Sequence, residues 1–292
     1  MKMKYSAKAM MIISMIIFGT IAPFVRNISV SSAELALYRA IMAAVLVGGF
    51  LLVTGQRIDV EAIKKELLLL LISGAAMGVN WILLFEAYKY TTVSVATLSY
   101  YFAPSIVMIV CPILFKEKLG AKQIVCFVMS TAGLVLITGT AGGGSRDLIG
   151  ILFGLGSAVF YAAVMLLNRF IKGVEGIHRT FIQFVAAIIV LLPYVIFTDG
   201  FSLGSLNALG WGSLLVVGLV HTGLNYCMYF FALKELPGQK VAILSYIDPL
   251  VAVLVSVIWL SERMTLPQII GGAMILGFTL WSEIAPKKKK EG

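Results

Sequence analysis

Residues 78–89 read GVNWILLFEAYK, and residues 223–234 read GLNYCMYFFALK. The two stretches share glycine, asparagine, phenylalanine, alanine and lysine at the same relative positions. A constant offset of 145 residues extends this match without a gap for more than forty residues and pairs Pro104 with Pro249. Self-similarity at one fixed offset indicates internal duplication. The chain is therefore predicted to consist of two related halves.

The composition around these stretches is that of a membrane protein. The chain has 292 residues, of which 60% are hydrophobic and 13% charged, and its mean hydropathy is +0.99. Soluble domains carry about 25% charged residues, so a soluble globular protein is excluded. A crossing helix needs about 20 apolar residues. Ten segments meet this requirement: 9–26, 34–54, 67–88, 94–115, 121–139, 148–170, 180–198, 209–233, 241–260 and 267–285.

The basic residues predict how these segments are oriented. If both termini are cytoplasmic, the cytoplasmic loops and ends hold 18 Lys and Arg residues and the opposite loops hold four. Basic residues stay on the cytoplasmic side of a membrane. The net charge of +9 therefore reflects topology and an anionic lipid surface, and we expect no nucleic-acid partner.

Ten spans in two halves give five helices per half, so the second half enters the membrane from the opposite side. We predict an all-α polytopic fold with two inverted five-helix repeats and both termini cytoplasmic, an architecture common in secondary transporters. The expected divisions are a first repeat at 1–139, a glycine-rich linker at 140–147, a second repeat at 148–285 and a basic tail at 286–292.

The residues around the repeat also resemble a known family. Ala87-Tyr88-Lys89-Tyr90-Thr91, Pro104, Glu117-Lys118 and Gly133 resemble the EamA repeat of the drug/metabolite transporter superfamily, and the second copy carries Ala232-Leu233-Lys234, Pro249 and Glu262-Arg263. The resemblance covers nearly the whole chain. It implies a ten-helix carrier with a central cavity between the halves, which exports small metabolites from the bacterial cytoplasm through the inner membrane. It does not identify the substrate.

Asp248 is the most central ionisable residue of the predicted spans. A charged group at the bilayer centre costs about 2.5–3.5 kcal/mol on insertion scales, so such a residue is a candidate functional site. Pro249 follows it and weakens the helix, as Pro104 does in the first repeat, and both prolines are candidate hinges. Asp248 is predicted to bind an ammonium group or to carry a proton. The alternative is a structural carboxylate that bonds a neighbouring hydroxyl.

Two further charged residues lie nearer the ends of their spans. Glu86 either faces the cavity or forms an ion pair with Lys89, three residues later. Arg39 either extends to the headgroups, pairs with Glu86, or binds a substrate carboxylate.

Polar and aromatic residues complete the candidate substrate site. Asn80 and Asn225 are equivalent in the repeat and are expected either to line the cavity or to join helices by hydrogen bonds. His221 lies four residues before Asn225 and can form a polar stripe with it and Tyr229, with a proton relay as the less favoured role. The aromatic candidates beside the asparagines and prolines are Trp81, Tyr226, Tyr100, Tyr101 and Tyr246.

Other features are interpreted as structural. Glu117 and Glu262 match across the repeat and sit at span ends, where they are expected to act as caps. Gly74 with Gly78, and Gly150 with Gly154, predict faces for close helix contact, which leaves monomer and homodimer both open.

The sequence lacks HExxH, GxSxG and P-loop motifs, so we expect neither an enzyme nor an ATP-driven pump. With only two histidines, no metal centre or other cofactor is expected. The preferred function is export of amino acids or related amines by alternating access, with proton coupling through Asp248. The alternatives are a facilitative carrier or channel, a sugar or nucleotide-sugar carrier, and, least favoured, a membrane-embedded enzyme acting on lipid.

Overall fold

A computed structural model describes residues 2–56, 59–116, 120–139, 145–174, 176–198 and 200–284. Within these ranges every regular element is a helix. The first half contains α1 (Lys2–Gly19), α2 (Ile21–Arg26), α3 (Ser32–Val53), α4 (Val60–Tyr90), α5 (Val93–Tyr100), α6 (Ala103–Phe115) and α7 (Ala121–Gly139). The second half contains α8 (Ser145–Phe170), α9 (Gly176–Phe197), α10 (Ala208–Leu215), a π-helical segment (Val216–Leu224), α11 (Asn225–Glu235), α12 (Gly238–Ser245), α13 (Ile247–Ile258) and α14 (Leu266–Glu283).

Eight helical spans are long and apolar enough to cross a bilayer. They are Ala7–Arg26, Ser32–Val53, Val60–Tyr90, Val93–Phe115, Ala121–Thr138, Ser145–Phe170, Gly176–Phe197 and Ala208–Glu235. Each coincides with one of the first eight segments expected from the sequence. A shorter apolar helix, Ile243–Ile258, lies in the ninth segment, and α14 occupies the tenth. The fold is that of a polytopic membrane protein.

Short polar residues start the helices at the boundaries of the apolar runs. The side chains of Ser31, Asp59 and Thr92 accept hydrogen bonds from backbone N–H groups three residues later, at 3.1, 3.0 and 3.3 Å. Thr265 and Gln268 form a reciprocal capping box at the start of α14. These caps satisfy N–H groups that have no partner within their own helix.

The helices of the two halves pack against each other rather than forming separate bundles. In the first half, α4 packs on α8 and α9; in the second, the π-helical segment and α11 pack on α3 and α1. Close contact depends on glycine: a Cβ added to Gly74 would lie 2.5 Å from Ala186 Cβ, and one added to Gly154 would lie 2.9 Å from Ser99 Cβ. The contact faces predicted at these glycines are therefore real interfaces between the halves.

The bundle has two ends. We call the end where α1 begins the near end; there Glu66 of α4 accepts hydrogen bonds from the backbone N–H groups of Lys172 and Gly173, at 2.8 and 3.0 Å. The opposite end, where α2 finishes and α5 begins, is the far end. There Arg26 pairs with Glu262 at 2.5 Å.

Candidate functional site

A cavity of about 550 Å³ lies between the two halves. A third of the residues that line it are aromatic: Phe18, Trp81, Phe85, Tyr88, Tyr100, Tyr101, Tyr161, Tyr226, Tyr229, Phe230 and Tyr246. Toward the near end the lining becomes polar, with Asn168, Arg179 and Glu283. Glu283 is exposed and lies in the last turn of α14, so the cavity reaches the surface at the near end.

A hydrogen-bonded cluster at the far end surrounds Glu262, which is not among the residues that line the cavity. Its carboxylate pairs with Arg26, accepts the N–H of Val93 at 2.8 Å and accepts the Ser256 hydroxyl. The Ser94 hydroxyl is in turn 2.7 Å from that of Ser256. Because Val93 begins α5, Glu262 caps a helix of the other half, which agrees with its predicted structural role. Glu117, its counterpart in the first repeat, lies outside the described residues.

Two interrupted helices meet at the middle of the cavity. The helix break between α5 and α6 falls just before Pro104, and the break between α12 and α13 falls just before Pro249. Both breaks therefore occur where the repeat predicted weakened helices. Tyr101, in the first break, donates its hydroxyl hydrogen bond to Oδ2 of Asp248, beside the second.

Asp248 lies against a group of tyrosines. Tyr100 stacks on Tyr161 with ring centres 5.1 Å apart, and Tyr101 meets Tyr100 edge-on at 5.3 Å. All three rings line the cavity with Asp248 and Tyr246. The carboxylate is therefore accessible from the cavity and held on one side by a hydroxyl donor.

Arg39 lines the same cavity and is only 5% exposed. Its Nε donates to Thr222 Oγ1 at 2.7 Å, and its guanidinium carbon lies 4.3 Å from the centre of the Trp81 ring. Among the described residues no carboxylate lies within 4.0 Å of its nitrogens. The expectation that Arg39 extends to the headgroups or pairs with Glu86 is therefore wrong, because aromatic packing holds it inside.

Glu86 lies outside the cavity lining. Its carboxylate forms an ion pair with Lys89 at 2.9 Å, with a quarter of its side chain exposed. The i,i+3 geometry satisfies the charge on the helix surface. Of the two interpretations of Glu86 that the sequence left open, the structure supports the ion pair.

The two repeat-related asparagines both join helices. Asn80 donates to the carbonyl and hydroxyl of Ser157 at 2.8 and 2.9 Å and also lines the cavity. Asn225 is fully buried, donates to the Ser14 carbonyl at 3.1 Å, and is not among the lining residues.

His221 is also placed away from the cavity. Its Nε2 lies 3.1 Å from Thr20 Oγ1, and Nδ1 lies 3.2 Å from the carbonyl of Val216. The predicted stripe assumed α-helical spacing to Asn225, but residues Val216–Leu224 form a π-helix, which changes the angle between successive side chains. Of the three stripe residues, only Tyr229 lines the cavity.

Sequence patterns did not identify every polar residue of the lining. Tyr88, Tyr161 and Gln183 belong to apolar spans in which many polar residues serve packing. Gln183 is the eighth residue of α9, as Arg39 is the eighth residue of α3, and both helices have 22 residues. Matching α3 with α9, which lie in the second predicted membrane span of each half, would have identified Gln183.

The chain was also compared with known proteins. The EamA-like transporter family matches residues 6–139 and 148–282. The uncharacterized transporter YxxF of Bacillus subtilis (strain 168) is 30% identical over 277 residues, covering 94% of this chain and 88% of that protein. An uncharacterized transporter of Archaeoglobus fulgidus is 28% identical over 284 residues, covering 96% and 98%. One solved crystal structure superposes with a TM-score of 0.68 at 16% identity, covering 98% and 99%, which shows a shared fold alone.

Proposed function

We propose that this chain, which belongs to the EamA-like transporter family, is a ten-helix secondary transporter that exports small metabolites, amino acids or related amines, by alternating access. One observation carries the proposal. The cavity between the halves holds a buried cation, Arg39, and a carboxylate, Asp248, that are not paired with each other.

The charge arrangement breaks the symmetry of the repeat. Asp248 corresponds to Ala103 at the repeat offset of 145 residues. Arg39 and Gln183 correspond by their position within α3 and α9. Each half thus contributes one charge of opposite sign where its counterpart is neutral. A zwitterion whose ammonium binds Asp248 and whose carboxylate binds Arg39 would neutralise both charges at once.

Contacts between the halves support two inverted repeats of five crossings each. Asn80 of α4 bonds Ser157 of α8, and Asn225 of α11 bonds Ser14 of α1, so each half reaches the first helix of the other. The ten crossings would be α1–α2, α3, α4, α5–α6, α7, α8, α9, α10–α11, α12–α13 and α14. The divisions at 1–139, 140–147, 148–285 and 286–292 follow from this assignment; most of the linker and all of the tail lie outside the described residues.

The orientation of the chain in the membrane determines the side to which the cavity opens. If the near end is cytoplasmic, as the distribution of Lys and Arg predicts, the structure is an inward-open state with the Glu262 cluster at its far end. A solute would enter from the cytoplasm, and export would require the near end to close and the far end to open. The bacterial homologue supports placement in the cytoplasmic membrane.

Proton coupling is the second part of the proposal. A proton and a substrate ammonium would compete for the same carboxylate of Asp248, so loading one would displace the other. Competition of this kind produces exchange of substrate for protons without a further ion site. Tyr101 stabilises the ionised carboxylate by donating to it and would favour the form that binds the ammonium.

The test is counterflow in proteoliposomes. Amino acids, their decarboxylated amines, sugars and nucleosides are screened with and without an imposed pH gradient. We expect saturable counterflow of amino acids that the gradient stimulates in the wild type. In Asp248→Asn, which loses the ammonium ligand, we expect weaker counterflow that is insensitive to the gradient. Glu86→Gln removes a carboxylate outside the cavity and is the matched control.

The same experiment separates the alternatives. Uptake without saturation or trans-stimulation would indicate a channel, and saturable exchange that ignores the pH gradient would indicate a facilitative carrier. Exchange of sugars or nucleotides alone would overturn the zwitterion assignment. A membrane enzyme has least support, because the relatives are named transporters and the described residues contain no cluster of three His, Cys, Asp or Glu side chains suited to a metal.

A further inference from the structure

The π-helical segment Val216–Leu224 interrupts the helix that packs against Arg39. In a π-helix each N–H bonds the carbonyl five residues earlier, and single π-turns occur frequently at functional sites. The Thr222 hydroxyl follows the same spacing and donates to the Val217 carbonyl at 2.8 Å. This bond fixes the rotation of the Thr222 side chain, so its oxygen faces a constant direction.

Two glycines bring α3 close to this segment. A Cβ added to Gly218 would lie 2.9 Å from Met42 Cβ, and one added to Gly223 would lie 3.0 Å from Leu46 Cβ. The glycines are five residues apart, which is the hydrogen-bond repeat of the π-helix, so they occupy one face of it. Arg39, one turn before Met42 on α3, consequently comes within hydrogen-bond distance of Thr222.

Thr222 and Trp81 together determine the plane of the guanidinium. Nε is bound to Thr222 Oγ1 at 2.7 Å, and one face of the group lies over the Trp81 ring, with Phe85 farther away at 5.7 Å. Because Nε is bound to Thr222, the two terminal nitrogens of the guanidinium remain available as donors. They lie in one plane, which is the geometry that binds a carboxylate with two hydrogen bonds. Thr222 is fully buried and does not line the cavity, so it acts through Arg39.

We propose that Thr222, held by the π-helical segment, is a positioning residue that directs Arg39 toward the carboxylate of the transported solute and so determines selectivity for carboxylate-bearing substrates. This inference rests on the proposed function. It assigns the carboxylate side of the zwitterion to Arg39 and Thr222, while the ammonium side belongs to Asp248.

The experiment compares Thr222→Val, which removes the hydroxyl and keeps the shape, with Thr222→Ser, which keeps the hydroxyl. Binding of L-leucine and of 3-methylbutylamine, which lacks only the carboxylate, is measured on the purified full chain. We expect Thr222→Val to weaken L-leucine binding about tenfold, as for loss of one buried bond to a charged group, with the amine unchanged. Thr222→Ser should remain within about threefold of wild type for both.

A second measurement needs no substrate. Trp81 emission is isolated by subtracting the spectrum of Trp81→Phe from that of each parent protein. Because the guanidinium lies 4.3 Å from this ring, its displacement in Thr222→Val should change the Trp81 emission, whereas Thr222→Ser should leave it unchanged.

The outcomes distinguish the two proposals. If wild-type protein binds no amino acid while Trp81 emission changes only in Thr222→Val, the positioning of Arg39 stands and the zwitterion assignment is lost. Equal weakening of L-leucine and of the amine in a folded Thr222→Val protein would show that Thr222 merely stabilises its helix. Unchanged Trp81 emission in Thr222→Val would overturn the inference directly.

Discussion

Two joints between the halves use the same pair of residue types and differ in how completely they bond. At the α4–α8 joint, Asn80 donates twice to Ser157, and the Ser157 hydroxyl returns a bond to the Asn80 carbonyl at 2.9 Å. At the α1–α11 joint, Asn225 donates once to Ser14, while Asn225 Oδ1 and the Ser14 hydroxyl are buried without a partner among the described residues.

Duplication therefore did not produce two equivalent joints. A buried polar atom without a hydrogen bond costs free energy that a paired atom does not. The α4–α8 joint is therefore the more stable one in this state. In the proposed alternating-access cycle it would serve as the fixed contact between the halves, and the α1–α11 joint would change.

The same asymmetry appears where the first helix of each half crosses an interrupted helix. In one crossing, Ala162 of α8 packs with Ala103 of α6. In the other, a Cβ on Gly19 of α1 would lie 2.6 Å from the Asp248 carbonyl and 2.7 Å from Val251 Cβ. The closer crossing thus lies beside Asp248 and involves α1, the helix that also forms the weaker joint.

Gly19→Ala should produce the largest effect. The added methyl group forces α1 away from α13 beside Asp248, and we expect counterflow to fall by at least about tenfold, since overpacking costs about 1–3 kcal/mol. Ala162→Gly, at the other crossing, should stay within about threefold. Counterflow in proteoliposomes with equal amounts of monodisperse protein measures both; wild-type exchange by Gly19→Ala would contradict the close-contact argument.

Tyr101→Phe should have the next largest effect. It removes the hydroxyl that donates to Asp248, and a bond to a charged group contributes about 1.5–3 kcal/mol, so we expect substrate affinity to fall about tenfold. Tyr246→Phe is the repeat-related control, because the Tyr246 hydroxyl makes no side-chain hydrogen bond among the described residues. A pH response that is retained in Tyr101→Phe, with its midpoint shifted from that of the wild type, would support the hydrogen bond between Tyr101 and Asp248. Equal affinity and pH response in Tyr101→Phe and Tyr246→Phe would contradict it.

Asn80→Ala and Asn225→Ala test the joints themselves. Asn80→Ala loses two hydrogen bonds and should lower the free energy of unfolding by about 1–2 kcal/mol in detergent. Asn225→Ala loses one bond and also removes an unpaired oxygen, so we expect a decrease of about 0.5 kcal/mol or less. Thermal melting of the purified proteins measures the difference. A larger loss from Asn225→Ala would reverse the assignment of the fixed joint.

The repeat made much of this predictable from the sequence. It placed Asn80 with Asn225 and Pro104 with Pro249, and the helices are interrupted just before both prolines. The family resemblance carried by Lys89, Pro104 and Glu262 is confirmed by the family match over both halves.

What the sequence did not predict depends on contacts between distant residues. Arg39 is buried because Thr222, 183 residues away, accepts its Nε bond and Trp81 covers its face. The π-helical turn that positions Thr222 has the composition of an ordinary apolar helix, and its Gly218 and Gly223 fit closely against α3. Hydropathy does not report such a fit.

Glu86→Gln should have the smallest effect on transport and stability, because Glu86 lies outside the cavity. The ion pair with Lys89 is partly exposed, and such pairs contribute about 0–1 kcal/mol, so we expect melting, counterflow and pH response within error of wild type. Its repeat counterpart, Phe231, is 52% exposed, which places this position outside the cavity in both halves. If counterflow instead fell with the protein folded, the substrate path would have to pass Glu86, and Asp248 would no longer be the sole acidic residue at the centre of the mechanism.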